Sequence, residues 1–322
     1  MEYVRVGGSS LKVSRLILGA MAIGDPAWRS WVLSEDAARP IIARALEHGI
    51  NTFDTCNFYS LGVGEEVLGR VLKELVPREE VVIATKVGGP LGKEPNGRGY
   101  SRKNIMASVD DSLRRLGVDY IDLYQTHIWE RATDLEEMMC AFDDLIRSGK
   151  VLYVGAADMP AWQFVKANSI AERHGWSRFI SLQHHYNLIF RDDEREHIPY
   201  CVAEDIGLLP YSPMARGFLC DAQRYDHGGS TERARTDDYA LKWYDRESDR
   251  AMVRQLGSMA AEIGAKPAQV ALAWVLARPG VTAPVFGATE PCHVDDAVAA
   301  MDLRLHDDQI AALDAGYEPR AI

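Results

Sequence analysis

The chain has 322 residues, 47% hydrophobic and 26% charged, enough for one large core or two ordinary ones. Its 36 basic and 47 acidic side chains leave a net charge of −11, which argues against nucleic acid and anionic membranes as partners. MEYVRVGGSS, the opening stretch, carries no apolar signal, and the longest clean apolar run, Val270–Ala277, is too short to span a bilayer, so a cytoplasmic protein is expected. The five cysteines, Cys56, Cys140, Cys201, Cys220 and Cys292, are scattered and form no C-x-x-C pair. They read as reduced thiols without structural zinc.

Tyr3–Val13, with Gly7-Gly8 at its middle, predicts a hairpin ahead of the main fold. Short β-branched runs then alternate with longer amphipathic stretches. Strands are predicted at Ser14–Leu18, Asn51–Phe53, Val81–Thr85, Ile121–Thr126, Leu152–Ala156, Phe179–Gln183, Gly207–Tyr211 and Val281–Gly287. Helices are predicted at Ser34–His48, Glu65–Leu75, Ser101–Leu116, Leu135–Ser148, Ala161–His174, Glu194–Asp205, Asp249–Ile263, Ala268–Leu276 and His306–Leu313. Eight such units with no Gly/Pro/Ser-rich linker predict one α/β domain over 1–322, a (β/α)8 TIM barrel. Two connections, Gly88–Tyr100 and Pro213–Glu247, are longer than a barrel needs, which marks them as lids or inserts.

Polar residues cluster just past the strands, at the end where a parallel barrel does its chemistry. They are Asp54, Tyr59, Lys86 and His127. A free phenol has a pKa near 10. A nearby ammonium lowers it, and a carboxylate can hold that ammonium charged and aimed. An imidazole can orient a carbonyl oxygen. Together the four make a general acid for a carbonyl that accepts hydride. Trp28, Trp31 and Trp129 fall in the loops after strands one and four and are expected to wall a substrate pocket. No metal site is expected: His184 and His185 are adjacent in a strand and face opposite ways. Gly62–Gly69 lacks the spacing of a dinucleotide loop. Cys56, close to the predicted site, reads as a packing thiol.

The motifs N-T-F-D-T-C-N-F-Y, G-E-E-V-L-G, A-T-K-V-G and Y-Q-T-H-I-W resemble those of the aldo-keto reductases. So do S-G-K-V-L-Y-V-G, Y-S-P-M-A-R-G and V-T-A-P-V-F-G-A-T, and the resemblance runs in order over essentially the whole chain. It implies a nicotinamide cofactor held extended across the strand C-termini, NADP(H) by preference. Tyr59 would be the acid/base, Lys86 and Asp54 would tune it, and His127 would position the substrate carbonyl. It implies that Tyr211 stacks on the nicotinamide and that Gln183 holds its carboxamide. Ser212, Met214 and Gly217 would follow the pyrophosphate, with Gly287, Thr289 and the segment to Asp296 at the adenosine end.

Three positions depart from the family pattern. Ala157-Asp158 stand where Ser-Asn is usual, and an ionised Asp158 accepts hydrogen bonds without donating. His184 replaces a frequent Asn. Glu290 stands where a Lys or Arg commonly meets the 2′-phosphate, and acidic residues instead tend to bind the free ribose diol of NAD. Arg233 and Arg235 are candidate replacements for that charge. The expected activity is hydride transfer between the cofactor and a small carbonyl or alcohol. The alternatives are an NAD-dependent sugar or alcohol dehydrogenase and a cofactor-sensing binding subunit. Substrate, reaction direction and oligomeric state stay open.

Overall fold

The computed structural model describes residues 1–223 and 230–320. Eight parallel strands form the centre: β3 (Ile17–Gly19), β4 (Thr52–Asp54), β5 (Val82–Val87), β6 (Ile121–Thr126), β7 (Val151–Ala157), β8 (Ser181–Gln183), β9 (Gly207–Leu208) and β10 (Val285–Gly287). They lie side by side in chain order, with β10 beside β3. Bridges at Leu208–Val281 and Tyr211–Val285 join the two ends. The result is the expected (β/α)8 barrel.

Ahead of it, β1 (Tyr3–Arg5) and β2 (Lys12–Ser14) pair antiparallel. This hairpin seals the barrel at the N-terminal ends of the strands. Gly7 (φ +52) makes the close approach possible: a Cβ there would meet the Asp205 carbonyl oxygen at 2.3 Å. Ser14, expected to open the first barrel strand, instead ends the hairpin.

The outer ring holds α1 (Glu35–Glu47), α2 (Val63–Leu75), α3 (Arg102–Leu116), α4 (Leu135–Arg147), α5 (Ala161–His174) and α6 (His197–Ala203). α3 starts where the Ser101 hydroxyl accepts the Asn104 N–H at 3.3 Å and stops at Gly117 (φ +67). α6 is shorter than its predicted span because Glu196 leaves helical geometry (φ −136) after a single 3-10 turn. Downstream lie α7 (Glu232–Thr236), α8 (Asp238–Trp243), α9 (Glu247–Glu262), α10 (Pro267–Leu276), α11 (Pro291–Ala299) and α12 (Asp307–Ala315). The predicted strand over Val281–Gly287 reduces to its last three residues, since Pro284 has no N–H for the ladder.

Two apolar layers hold the barrel. The larger packs helices against the outside of the strands and includes Phe53, Tyr124, Phe142, Phe164 and Phe286. The smaller fills the barrel interior with Ile17, Val82, Ala84, Leu123, Leu209 and Val285 above Val6 and Val13 of the hairpin. The charged groups of the interior gather in its uppermost layer, where Asp54, Lys86, Gln125 and Gln183 meet.

Candidate active site

Strand register builds that polar layer. Asp54 ends β4 opposite Ala84, and Lys86 sits two residues further along β5, on the same inward face. Lys86 pairs with Gln125 across β5 and β6, while Gln183 ends β8. The Asp54 carboxylate therefore collects three donors. Oδ1 takes a short hydrogen bond from the Lys86 ammonium. Oδ2 accepts from Gln125 at 3.0 Å and Gln183 at 2.9 Å. Lys86 also donates to the Thr55 carbonyl at 2.8 Å and is fully buried. Gln125 was not among the expected site residues, although its inward face, shared with Leu123 of the apolar interior, carries the signal.

Tyr59 stands directly above this layer, with the Lys86 ammonium 5.5 Å from its ring centroid. Its ring meets that of His127 edge to face at 5.9 Å. Burial raises the Tyr59 pKa, and the Lys86 charge offsets only part of that rise. The phenol is thus held protonated in the free protein, opposite to the net lowering expected from the ammonium alone. Burial works against the Lys86 ammonium, but the Asp54 charge wins and its pKa stands raised. His127 is pushed down to about 3, by burial first and by Lys86 second, so its imidazole is neutral. The Tyr100 hydroxyl steadies the backbone by accepting the His127 N–H at 2.9 Å.

Asp54, Tyr59 and His127 open into a cavity of about 970 Å³, while Lys86 lies beneath it. The same cavity is lined by Asp158, Gln183, Tyr211, Ser212, Met214 and Gly217, then by Gly287, Thr289, Glu290 and Asp296. Every expected cofactor-contacting residue therefore faces one continuous space. Asp158 (φ +49) accepts the Tyr211 hydroxyl at 3.0 Å. It is open to the cavity but surrounded by protein on its other sides, and that enclosure raises its pKa to about 6 against the opposing Tyr211 bond. Tyr211 is backed by His185, whose ring stacks on it at 5.2 Å. Three of the non-glycine lining residues, Asp158, Ser212 and Arg216, have left-handed backbone. Such strain is a mark of functional loops.

Trp28 and Trp31 line the cavity as expected, Trp28 edge-on to Phe58 at 5.8 Å. Trp129 does not line it: its indole donates to Gln163 at 2.8 Å and its ring lies against Tyr100 at 5.0 Å. The Pro213–Glu247 connection, of which 224–229 lie outside the described residues, contributes Arg216, Glu232, Arg233, Tyr239 and Trp243 to a wall of the cavity. Arg216 and Arg233 share the Asp237 carboxylate, at 2.8 and 3.1 Å. Arg235 is away from the cavity, paired with Glu232 at 2.7 Å. Sequence periodicity missed α7 and α8 because each is under two turns long.

At the far end of the cavity, α11 begins at Pro291 with Glu290 as its N-cap. Among the described lining residues this end carries Glu290, His293 and Asp296 and no Lys or Arg. The nearby Lys266 is tied to Asp296 at 2.7 Å. Glu290, Cys292 and His293 bring metal-ligating atoms within 4.8 Å of one another on the surface, a grouping not anticipated from the sequence.

The sequence profile of the Aldo/keto reductase family matches residues 15–318. The chain belongs to that family. It is 41% identical to a versiconal hemiacetal acetate reductase of Aspergillus parasiticus, over 100% of this chain and 98% of the relative. It is 37% identical to a putative aryl-alcohol dehydrogenase of Schizosaccharomyces pombe, over 98% and 96% of the two chains. An aldo-keto reductase of Alternaria alternata is 37% identical over 98% and 91%. Aldo-keto reductases are NAD(P)-dependent oxidoreductases, and this enzyme is one of them. Among its described residues, no helix is long and apolar enough to cross a membrane.

Proposed function

We propose that one barrel domain over the whole chain reduces an apolar aldehyde or ketone, with Tyr59 as the proton donor. The observation that carries this is the stack of Asp54, Lys86 and Tyr59 opening beside neutral His127. When bound, the reduced nicotinamide supplies hydride to the carbonyl carbon. Tyr59 delivers its hydroxyl proton to the carbonyl oxygen as negative charge grows there. Lys86 stabilises the phenolate left behind, and Asp54 keeps Lys86 charged and aimed. The Trp28, Phe58 and Trp31 wall suits an aromatic or otherwise apolar carbonyl.

The residues present fit a nicotinamide dinucleotide. Tyr211 offers a cavity-facing ring, Asp158 and Gln183 offer amide partners, and the α11 start offers N–H groups to an anion. The resemblance implies NADP(H), but the acidic adenosine end supports NAD(H), whose free ribose diol suits a carboxylate better than a 2′-phosphate does. NAD(H) is therefore our preferred cofactor. Glu290→Lys is expected to tighten NADP(H), by placing a cation beside the 2′-phosphate, and to weaken NAD(H), by removing the carboxylate that accepts from the free diol. A charge-assisted contact contributes about 1.5–3 kcal/mol, or about one to two decades in Kd. Kd values for both cofactors, in wild type and variant at one ionic strength, check this. Equal changes for the two cofactors would remove Glu290 from the 2′ position.

Turnover of an aldehyde, ketone and sugar panel with each reduced cofactor tests the activity. Apolar aromatic aldehydes are expected to lead. Absence of turnover with every carbonyl would leave the binding-subunit reading. The proton donor needs no Lewis acid, so dialysis against EDTA is expected to leave turnover unchanged. A loss restored by zinc would move the chemistry toward Glu290, Cys292 and His293.

A further inference from the structure

Cys56 directly follows Asp54-Thr55 at the top of β4 and is wholly buried. Its Sγ lies 3.1 Å from Nδ1 of His127. The backbone N–H of Phe58 donates to the sulfur at 3.4 Å, and Asn57 Oδ1 lies 3.6 Å away. Burial pushes the thiol up to about 12, and burial with Lys86 pushes the imidazole down to about 3. A thiolate–imidazolium nucleophile is excluded on both counts. The remaining question is which ring nitrogen of neutral His127 carries the proton.

We propose that Cys56 is a positioning residue: its S–H donates to His127 Nδ1 and holds the imidazole as the Nε2–H tautomer. The sulfur already accepts the Phe58 N–H, which favours its own proton as a donor. The imidazole is the nearer of the two acceptors, at 3.1 against 3.6 Å. With Nδ1 engaged, Nε2–H remains as a donor for a ligand in the cavity that His127 lines. The other tautomer would set a bare lone pair against a carbonyl oxygen, acceptor facing acceptor. The inference rests on the reading that His127 meets the substrate oxygen, but the tautomer itself can be read in the free enzyme.

The test is nitrogen NMR of ¹⁵N-histidine-labelled enzyme without ligand, with His127 assigned through His127→Gln. Wild type is expected to show His127 as Nε2–H at neutral pH. Cys56→Ser, which keeps a donor, should retain that state, and Cys56→Ala should lose it. In turnover, Cys56→Ala is expected to lower kcat about three- to tenfold, the worth of one neutral hydrogen bond. Serine should rescue it, and dinucleotide Kd should not move. An Nδ1–H tautomer in wild type overturns the proposal without recourse to any variant. So does an Nε2–H state that persists unchanged in Cys56→Ala. If the tautomers behave as expected while no carbonyl is turned over, the proposed function fails and the role of Cys56 stands.

Discussion

Tyr59→Phe is expected to bind the dinucleotide as wild type does and to lose about 10²–10⁴-fold in kcat, the usual cost of removing a positioned general acid. The substitution deletes one oxygen and keeps the ring, so the edge-to-face contact with His127 and the ammonium beside the ring survive. The fold should hold, because the Tyr59 hydroxyl takes no part in the bonds that fix Asp54, Lys86, Gln125 and Gln183. Fluorescence titration with cofactor and steady-state kcat on the same preparation separate binding from chemistry. A kcat within threefold of wild type would mean that another group carries the proton. His127 is a weak replacement: its imidazole is held neutral at ordinary pH, and a neutral imidazole donates its one N–H as a hydrogen bond but is far too weak an acid to give the proton up.

Much of this arrangement is legible in the sequence, for a physical reason. Parallel barrel strands are buried on both faces, so most read as compact apolar runs rich in β-branched residues. All eight lie within a few residues of their predicted spans. Asp54, Lys86 and His127 were legible because a polar side chain at the end of such a run has little structural use. What was not legible depends on distances between elements. Gln125 stands one alternation above Leu123, and only its 3.0 Å bond to Asp54 gives it a role. Cys56 passes for a packing thiol until the His127 ring is placed 3.1 Å from it. Trp129 shares the loop position of a pocket wall, yet its indole finds Gln163 on α5 and turns away. The net rise of the Tyr59 pKa was hidden for the same cause: charge can be counted in a sequence, whereas depth of burial cannot.

Lys86→Met is expected to damage both the fold and the chemistry. Lys86 is fully buried, and its ammonium is the only cation bonded to the 3%-exposed Asp54 among the described residues. Removing one partner of a buried pair leaves a charge without its counter-charge, typically a loss of about 3–5 kcal/mol. Gln125 and Gln183 still donate to the carboxylate, which favours the lower end of that range. The Lys86 pKa is raised in the folded state. The pair's contribution is therefore complete below the unfolded value of about 10.4 and fades only as pH rises through the folded one. The stability gap between wild type and variant should then be flat around neutral pH in denaturant titrations. In the reaction, the lost cation stood 5.5 Å from the Tyr59 ring. At an effective dielectric of about 20 this separation corresponds to ~3 kcal/mol, or about two decades in rate if fully expressed against the developing phenolate. Asp54→Asn combined with Lys86→Met removes both charges, so it should recover much of the stability and none of the rate. That split distinguishes a tuning ammonium from a structural one. If the double variant regains turnover along with stability, Lys86 serves the barrel alone and the phenol needs no cation beneath it.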